Sequence, residues 1–407
     1  MVITMYVKCS LCGELYSYNI PLNTCNKCGG VLLFKYDYNQ DLSFADKKLF
    51  ENRPRTFWKF FDFLPLSSAV NVTSIGELFT PLMRLPDINS INLKNIYIKD
   101  DSRLPTGTFK ARGMSIAVSC LKELGVKRVA IPSAGNAAAA LAAYGARAGM
   151  EVYTFIPKDA PLSTLKECIA FGAKVYLIDG LIGDAASIVS RLREKYGWFD
   201  LSTNKQPYRF EGYKLMAFEI AEQFDWHPPD VIVFPTGGGE GVIGLWKGFN
   251  ELVELGWINE SEVPRLIIVQ STGCAPLVKA FREGKSEVEE PWPNARTIAA
   301  GLRVPKPFGS YLVLRAVRET DGYAVAVSDE EILSSMRTLA HKGLFVCPEA
   351  AATHAALPHL RDEGVVDRSD RILLYLTGSG LKYLDLIEIG FSQIPVLGKD
   401  AYSLPTS

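Results

Sequence analysis

Strand and helix patterns alternate through most of the sequence from residue 128 onward. The short apolar runs 128–132 and 151–155 have the length of buried strands, and segments with helical spacing begin at Leu162 and Asp184. Strands that are joined through helices pair in parallel, because each helix returns the chain to the same end of the sheet. The sequence therefore predicts an α/β fold with mostly parallel sheets that are flanked by helices.

One lysine follows a turn that is rich in proline and glycine. The stretch 103–113 reads RLPTGTFKARG and places Lys110 just before a helical run that starts at Met114. Proline and glycine fix such a turn, and Phe109 can exclude water from the amine. Desolvation lowers the pKa of a lysine, and a neutral amine can attack a carbonyl to form a Schiff base. Because most lysines are solvated surface charges, this pattern alone is weak evidence for catalysis.

Two further loops each connect a predicted strand to a predicted helix. The first contains Ser133, Ala134, Gly135 and Asn136, and the second contains Gly237, Gly238, Gly239, Glu240 and Gly241. A glycine-rich turn in this position exposes backbone N–H groups at a helix N-terminus, where the donors and the helix dipole favour a phosphate. A plain strand-to-helix turn is the alternative. The strand before and the helix after favour the phosphate site.

Together with the segment 376–382, LTGSGLK, these loops resemble the fold type II pyridoxal-phosphate enzymes, and the threonine synthase family most closely. The motifs occur in the order of that family, and the resemblance runs from about Ile75 to Lys382. It implies pyridoxal 5'-phosphate as the cofactor, with Lys110 as its covalent anchor and as the base at Cα. It also implies that 237–241 form the cup for the cofactor phosphate.

The same resemblance assigns the remaining contacts of the cofactor and the substrate. The loop from Ser133 to Asn136 would bind the substrate carboxylate, and Asn136 would also contact the cofactor ring. Thr377 would offer its hydroxyl to the pyridine nitrogen. A hydroxyl cannot supply a charged partner that holds the ring protonated, so elimination and replacement are favoured over transamination.

The resemblance implies a two-domain fold behind a small N-terminal module. We expect a zinc-ribbon-like module in residues 1–38 and a small α/β domain in residues 111–205. The large cofactor-binding domain would be formed by residues 39–110 and 206–407.

The implied reaction converts O-phospho-L-homoserine and water to L-threonine and phosphate. Proton removal at Cα and then at Cβ would expel phosphate from Cγ, and water would add at Cβ. The sequence departs from the family at Leu104, Ala111 and Ser379, where threonine synthases commonly have Asn, Asp and His. A cysteate-synthase-like or threonine/serine-dehydratase-like enzyme that performs β-replacement or β-elimination is therefore an alternative. A catalytically silent binding or regulatory protein on the same fold is another.

Arg209 and Asn204, with help from Lys214, are predicted to bind a distal anion on the substrate. Arg209 lies where the polar loop 203–208 meets a predicted helix, 210–224, whose apolar residues bury one face. The planar Arg209 guanidinium can donate two parallel hydrogen bonds to a phosphate, and the free N–H groups of the first helical turn also favour an anion. Alternatively, Arg209 pairs with other residues and braces the loop.

Four of the eight cysteines form two CxxC pairs near the N-terminus, and twelve residues separate Cys9 and Cys12 from Cys25 and Cys28. Two such pairs can coordinate zinc tetrahedrally, and four protein ligands make the predicted site structural. Many threonine synthases have the same layout. Disulfides and a metal-free ribbon are the alternatives. The other cysteines are expected to be small buried hydrophobic residues, namely Cys120, Cys168, Cys274 and Cys347.

Composition limits the kinds of partner that the chain can have. The 407 residues, of which 48% are apolar, suffice for two or three domains, and the net charge of −1 lacks the basic excess of nucleic-acid-binding proteins. No apolar run approaches the roughly 18 residues of a membrane span, and the N-terminus lacks a signal-peptide core. We expect a cytoplasmic homodimer that acts on a small, phosphorylated amino acid, without nucleic-acid or membrane partners.

Overall fold

The computed structural model describes residues 4–38, 46–85 and 93–387, together with Leu397 and Lys399. A small antiparallel sheet in the order β2-β1-β3 opens the chain. Its strands are β1 (Thr4–Cys9), β2 (Leu15–Tyr16) and β3 (Leu32–Asp37). Two tyrosines dock this sheet on the main body, because Tyr36 donates to Glu211 at 2.5 Å and Tyr38 donates to Glu251 at 2.6 Å.

The main body contains two larger sheets. The six-stranded sheet has the order β12-β11-β10-β13-β5-β4 and is parallel except for β4 at its edge. Its strands are β4 (Leu82–Arg84), β5 (Asn95–Asp100), β10 (Val231–Pro235), β11 (Arg265–Ser271), β12 (Tyr323–Val327) and β13 (Arg371–Leu376). The four-stranded sheet has the order β8-β7-β6-β9 and is parallel throughout. Its strands are β6 (Arg128–Pro132), β7 (Glu151–Pro157), β8 (Lys174–Ile178) and β9 (Phe199–Asp200).

Helices cover both sheets, as the alternating pattern predicted. They are α1 (Lys48–Glu51), α2 (Lys110–Glu123), α3 (Asn136–Ala148), α4 (Leu162–Ala170), α5 (Ile182–Tyr196), α6 (Tyr208–Gln223), α7 (Glu240–Glu254), α8 (Pro276–Arg282), α9 (Ser310–Glu319), α10 (Asp329–Ala340), α11 (Pro348–Ala355) and α12 (Leu357–Asp362). The predicted α/β fold with mostly parallel sheets is confirmed. Helix α5 begins two residues before the predicted Asp184, because the Asp184 carboxylate accepts the N–H of Leu181 and so lies inside the first turn.

The predicted domain division stays an interpretation of the sequence. The four-stranded sheet falls within the range 111–205, and the six-stranded sheet is built from residues on both sides of that range. The predicted boundary after residue 38 adjoins residues 39–45, which lie outside the described part of the chain.

Helix α6 is buried on every side, whereas the sequence predicted one buried face. All residues from Tyr208 to Ala221 are buried, including the charged residues of the helix in that range. Local spacing of apolar residues could not show this, because the charges are compensated by residues that are distant in sequence. One example is Glu219, which binds Arg112 at 2.7 Å and also Lys99.

Close packing of α2 against α6 fixes the start of α2, where Lys110 lies. A Cβ atom on Gly212 would lie 2.1 Å from the carbonyl oxygen of Arg112, so the two helix backbones nearly touch. The Arg112 guanidinium also binds Asp101, which directly follows β5, at 2.7 Å. A buried ion pair of this kind holds its helix strictly in place, since separating the charges leaves an uncompensated one.

Candidate active site

A cavity of about 370 Å³ lies where strands of both large sheets end. Its wall includes the residues that follow the carboxyl ends of β6, β10 and β13, where open α/β sheets commonly bind ligands. The structure brings most of the predicted site residues together on this wall, namely Lys110, Ser133, Ala134, Gly135, Asn136, Gly237, Gly238, Gly239, Glu240, Gly241 and Thr377.

Lys110 is the first residue of α2 and points its amine into the cavity. Its Nζ atom lies 4.4 Å from the centre of the Phe109 ring and 3.7 Å from Glu240 Oε2. Burial lowers the pKa of Lys110 to about 8, although the Glu240 carboxylate opposes this shift. A substantial fraction of the amine is therefore neutral near physiological pH, as nucleophilic attack requires.

The loop 237–241 has a shape that only glycine allows at its first three positions. Gly239 has φ +86°, and a Cβ atom there would lie 2.2 Å from Val313 Cγ2. A Cβ atom on Gly237 would lie 2.1 Å from the carbonyl oxygen of Gly301. Helix α7 begins at Glu240, so the loop leads into free N–H groups at a helix N-terminus, which suits a phosphate.

The loop after β6 has a similarly constrained backbone. Ser133 Oγ accepts hydrogen bonds from the N–H groups of Gly135 at 3.1 Å and Ala138 at 3.2 Å. Gly135 has φ +130°, and a Cβ atom there would lie 2.4 Å from Thr164 Oγ1. These contacts place Asn136 at the start of α3, where a carboxylate would meet both the amide and the helix N-terminus.

Hydrogen bonds join the lysine loop to the loop after β13. The N–H of Phe109 donates to the carbonyl oxygen of Thr377 at 2.9 Å, and the N–H of Ser379 donates to that of Gly107 at 2.9 Å. Thr377 is buried and lines the same cavity as Lys110. The two residues that the sequence assigned to opposite ends of a cofactor ring are thus held at a fixed separation.

Comparison with known proteins agrees with this arrangement. A family model described as a pyridoxal-phosphate dependent enzyme matches residues 73–378, which include Lys110, the loops 133–136 and 237–241, and Thr377. The chain belongs to the pyridoxal-phosphate-dependent enzyme family. This result confirms the predicted cofactor class and the fold type.

Relatives of this pyridoxal-phosphate enzyme are similar over nearly its whole length. Threonine synthase of Methanocaldococcus jannaschii is 36% identical over 382 residues, which cover 93% of each chain. Threonine synthase of Methanosarcina acetivorans is 37% identical over 93% of this chain and 92% of its own. Maize serine racemase has a TM-score of 0.64 at 24% identity and covers 75% of this chain and 90% of its own. The likeness to the racemase shows the fold alone.

The cavity of this pyridoxal-phosphate enzyme fits its cofactor. Lys110 offers a partly neutral amine, and the close packing of Gly237, Gly238 and Gly239 on neighbouring protein atoms holds the loop in the shape that leads into the N-terminus of α7. In the described part of the chain, Thr108 Oγ1 and Asn136 Oδ1 are buried without a hydrogen-bond partner, and both residues line the cavity. Buried polar atoms of this kind usually have partners, so a ligand with polar edges accounts for them.

Gly239→Ala should weaken binding of the cofactor on the order of tenfold, because the new methyl group moves backbone donors away from the phosphate. Equilibrium dialysis of pyridoxal 5'-phosphate measures this effect. Gly125→Ala is the matched control, since Gly125 also has a positive φ of +76° but has no atom within 4 Å of the added Cβ. An equal loss of affinity in both variants would show that backbone strain, and not the cup, is responsible.

The structure places Arg209, Asn204 and Lys214, which the sequence predicts to bind a distal anion, outside the lining of the cavity. Arg209 is fully buried and forms an ion pair with Glu240, while Lys214 pairs with Glu211 at 2.8 Å. Asn204 donates to the carbonyl oxygen of Gly238 at 2.7 Å. Arg209 and Asn204 thus contact the glycine loop from behind, as in the bracing alternative that the sequence left open, whereas Lys214 pairs with Glu211 and Glu251 away from that loop.

The sequence assigned no role in the site to four charged residues of the cavity wall, namely Asp184, Lys205, Lys306 and Glu349. Lys205 and Lys306 lie near its mouth, and Glu349 follows Pro348 at the start of α11. Lys205 belongs to the polar loop that was predicted to bind an anion, so its charge was a usable signal. Asp184 marked only a predicted helix start, and Lys306 and Glu349 lie in segments without a recognisable pattern.

The N-terminal cysteines form a site that fits zinc. The Sγ atoms of Cys9, Cys12, Cys25 and Cys28 lie within 4.8 Å of one another. Each of the two CxxC pairs lies in a backbone turn of the same kind. The N–H of Gly13 donates to the carbonyl oxygen of Cys9, and the N–H of Gly29 donates to that of Cys25. Four thiolates in two matching turns suit tetrahedral zinc. The remaining cysteines, Cys120, Cys168, Cys274 and Cys347, are all buried as predicted.

We propose that this cluster binds one structural zinc ion. Cys9→Ser should abolish metal binding and loosen residues 1–38, because metal binding supplies part of the folding free energy of such a module. Elemental analysis and limited proteolysis measure the two effects. Cys168→Ser is the control, since this buried cysteine lies outside the cluster and should leave the metal content unchanged. Wild-type protein without metal after purification under reducing conditions would contradict the proposal.

Proposed function

We propose that the protein is a threonine synthase, a lyase that converts O-phospho-L-homoserine and water to L-threonine and phosphate. The observation that carries this proposal is the similarity to threonine synthases over 93% of the chain. The cavity supports it, because Lys110, the glycine loop 237–241 and the loop 133–136 all line this one cavity.

In this reaction Lys110 holds the cofactor and moves protons. When bound, the cofactor supplies an electron sink for the bond that breaks at Cα. The Lys110 amine takes the proton from Cα, and it can take the second proton from Cβ only after it has released the first to solvent or to the departing phosphate. A pKa of about 8 suits both uptake and release near neutral pH. Asn136 and the free N–H groups of α3 bind the substrate carboxylate, so the Cα–H bond is presented to Lys110.

We assign the distal phosphate of the substrate to Lys205 and Lys306. The Lys205 amine lies 5.5 Å from the centre of the Phe308 ring, and the Lys306 amine donates to the carbonyl oxygen of Glu289 at 2.6 Å. Neither lysine has a carboxylate partner in the ranges that the structure describes. Two uncompensated cations at the mouth of the cavity favour a ligand that carries negative charge at its far end.

A β-eliminating enzyme that acts on serine or threonine is the second candidate. Its specific support is the Arg209–Glu240 ion pair, which removes from the site the arginine that the sequence assigned to a phosphate. An unphosphorylated substrate would not require that cation.

Product analysis separates the two candidates. A threonine synthase should release phosphate and L-threonine in equal amounts from O-phospho-L-homoserine, and little keto acid from serine or threonine. Faster formation of pyruvate or 2-oxobutyrate would establish the dehydratase instead. Turnover of any of these amino acids excludes a catalytically silent protein.

The proposed compartment and assembly rest on the sequence. Among the described residues, no helix has the length and apolar character needed to cross a membrane. We propose a cytoplasmic homodimer, and cell fractionation and light scattering test these two properties.

A further inference from the structure

The glycine loop of the cavity is tied to the start of helix α9 by one buried side chain. The amide of Asn204 donates to the carbonyl oxygen of Gly238 at 2.7 Å and to that of Phe308, which lies just before α9, at 2.5 Å. Helix α9 also packs on the loop directly, because Val313 Cγ2 occupies the place that a Cβ atom on Gly239 would need. A displacement of the start of α9 would therefore displace the glycine loop as well.

The first turn of α9 is in turn held by the N-terminal module, residues 4–38. The hydroxyl of Tyr311 accepts a hydrogen bond from the N–H of Val31 at 2.9 Å and lies 2.7 Å from Ser10 Oγ. The Ser10 hydroxyl donates its own proton to the carbonyl oxygen of Val31 at 2.8 Å, so Tyr311 is the donor to Ser10. The three groups form a closed set of hydrogen bonds that joins the module to α9.

A second contact of the module holds the polar loop that contains Asn204. The side-chain amide of Asn23 donates to the carbonyl oxygen of Asp200 at 2.7 Å and to that of Lys205 at 3.1 Å. Ser10 lies inside the first CxxC pair, and Asn23 lies just before the second. Both contacts therefore begin at the turns that the four cysteines form, and they reach the two segments that hold the glycine loop.

We propose that the N-terminal module positions the glycine loop for the cofactor phosphate, with Tyr311 as the positioning residue that connects them. Tyr311 does not belong to the lining of the cavity, so it acts through α9 and Asn204. Backbone donors bind a phosphate well only when their supports hold them in place. The proposal rests on the assignment of the cofactor phosphate to the glycine loop, and it does not require the threonine synthase reaction.

Binding of two probes to the cofactor-free protein tests this connection. Tyr311→Phe keeps the ring and removes the hydroxyl. Equilibrium dialysis should show about a fivefold loss of affinity for pyridoxal 5'-phosphate and no change for pyridoxal, which lacks the phosphate. Hydrogen exchange should become faster at the N–H of Ile243, which donates to the carbonyl oxygen of Gly239 at 3.0 Å. Ser10→Ala removes the acceptor for Tyr311 and should reproduce both effects.

Tyr38→Phe is the matched control, because it removes another hydroxyl that joins the module to the main body. Its partner Glu251 lies in the last turn of α7, far along the helix from the glycine loop, and keeps its ion pairs with Lys214 and Lys247. This variant should leave both affinities and the exchange of Ile243 unchanged.

The pattern across the variants decides between the connection and the assignment on which it rests. An equal loss for both probes in Tyr311→Phe would indicate a general loosening of the fold and would overturn the proposal. If Gly239→Ala weakens binding of pyridoxal 5'-phosphate and Tyr311→Phe does not, the connection alone is refuted. If neither variant binds pyridoxal 5'-phosphate more weakly, the phosphate does not lie in the glycine loop, and the connection fails with that assignment. No amino-acid substrate is used, so a failure of the threonine synthase reaction would not alter these outcomes.

Discussion

Lys110→Ala should lose the covalently bound cofactor and lower turnover by more than about a thousandfold, because the covalent anchor and the base at Cα are the same amine. Borohydride reduction followed by mass spectrometry should find the cofactor on Lys110 in the wild type and on no lysine of the variant. The fold should survive the substitution, since Glu240 keeps its ion pair with Arg209. Lys122→Ala, at the exposed end of the same helix, should leave both readouts unchanged.

The pH dependence of cofactor uptake provides a second readout of the same residue. Burial lowers the pKa of Lys110 from 10.5 to about 8, so the neutral amine is scarce below that pH and predominant above it. The rate at which cofactor-free protein attaches pyridoxal 5'-phosphate should therefore rise through pH 8 and then level off. A rate that keeps rising to pH 10, or a cofactor reduced onto another lysine, would contradict the assignment.

The glycine-rich turns of the cavity were visible in the sequence because local backbone geometry requires glycine there, whereas the roles of Thr377 and Asn136 came from the family resemblance. Gly135 and Gly239 adopt positive φ values of +130° and +86°, and each follows a strand and precedes a helix. Such a turn needs glycine for reasons that involve only nearby atoms, so the pattern is visible in the sequence. The β6 strand, at residues 128–132, was predicted with its observed bounds because its short apolar run is likewise a local feature of the sequence.

The predicted site residues that lie outside the cavity wall have partners that are distant in sequence. Arg209 and Glu240 are separated by a helix and a strand, and nothing in either local sequence indicates that their side chains meet. Glu349 was missed because it reaches the cavity wall only when α11 packs beside β13. Charged residues inside a protein are placed by the complete set of their neighbours, and a single sequence does not show that set.

Arg209→Ala should destabilise the fold by about 3–5 kcal/mol, because it leaves the Glu240 carboxylate buried without a cation. Burial opposes the charge of Arg209, but Glu240 raises the pKa of Arg209 above its ordinary value, so the pair is charged in the folded protein. A double variant, Arg209→Met with Glu240→Gln, replaces both charges with neutral groups and should recover much of the lost stability. The midpoint of urea unfolding, compared among the three proteins, measures the effect.

The same variants decide whether Arg209 braces the cup or binds the substrate. A brace that holds Glu240 and the glycine loop should affect stability and cofactor affinity, and it should alter KM for phosphorylated and unphosphorylated amino acids alike. Lys205→Ala should raise KM for O-phospho-L-homoserine only and leave the unfolding midpoint unchanged. Lys205 is half-buried and has no ion-pair partner among the described residues, so its removal leaves no buried charge behind. Arg209→Ala could instead leave the unfolding midpoint unchanged and raise KM for the phosphorylated substrate alone. Arg209 would then have to leave Glu240 and enter the cavity during turnover, and the assignment of Arg209 to the substrate phosphate would be correct.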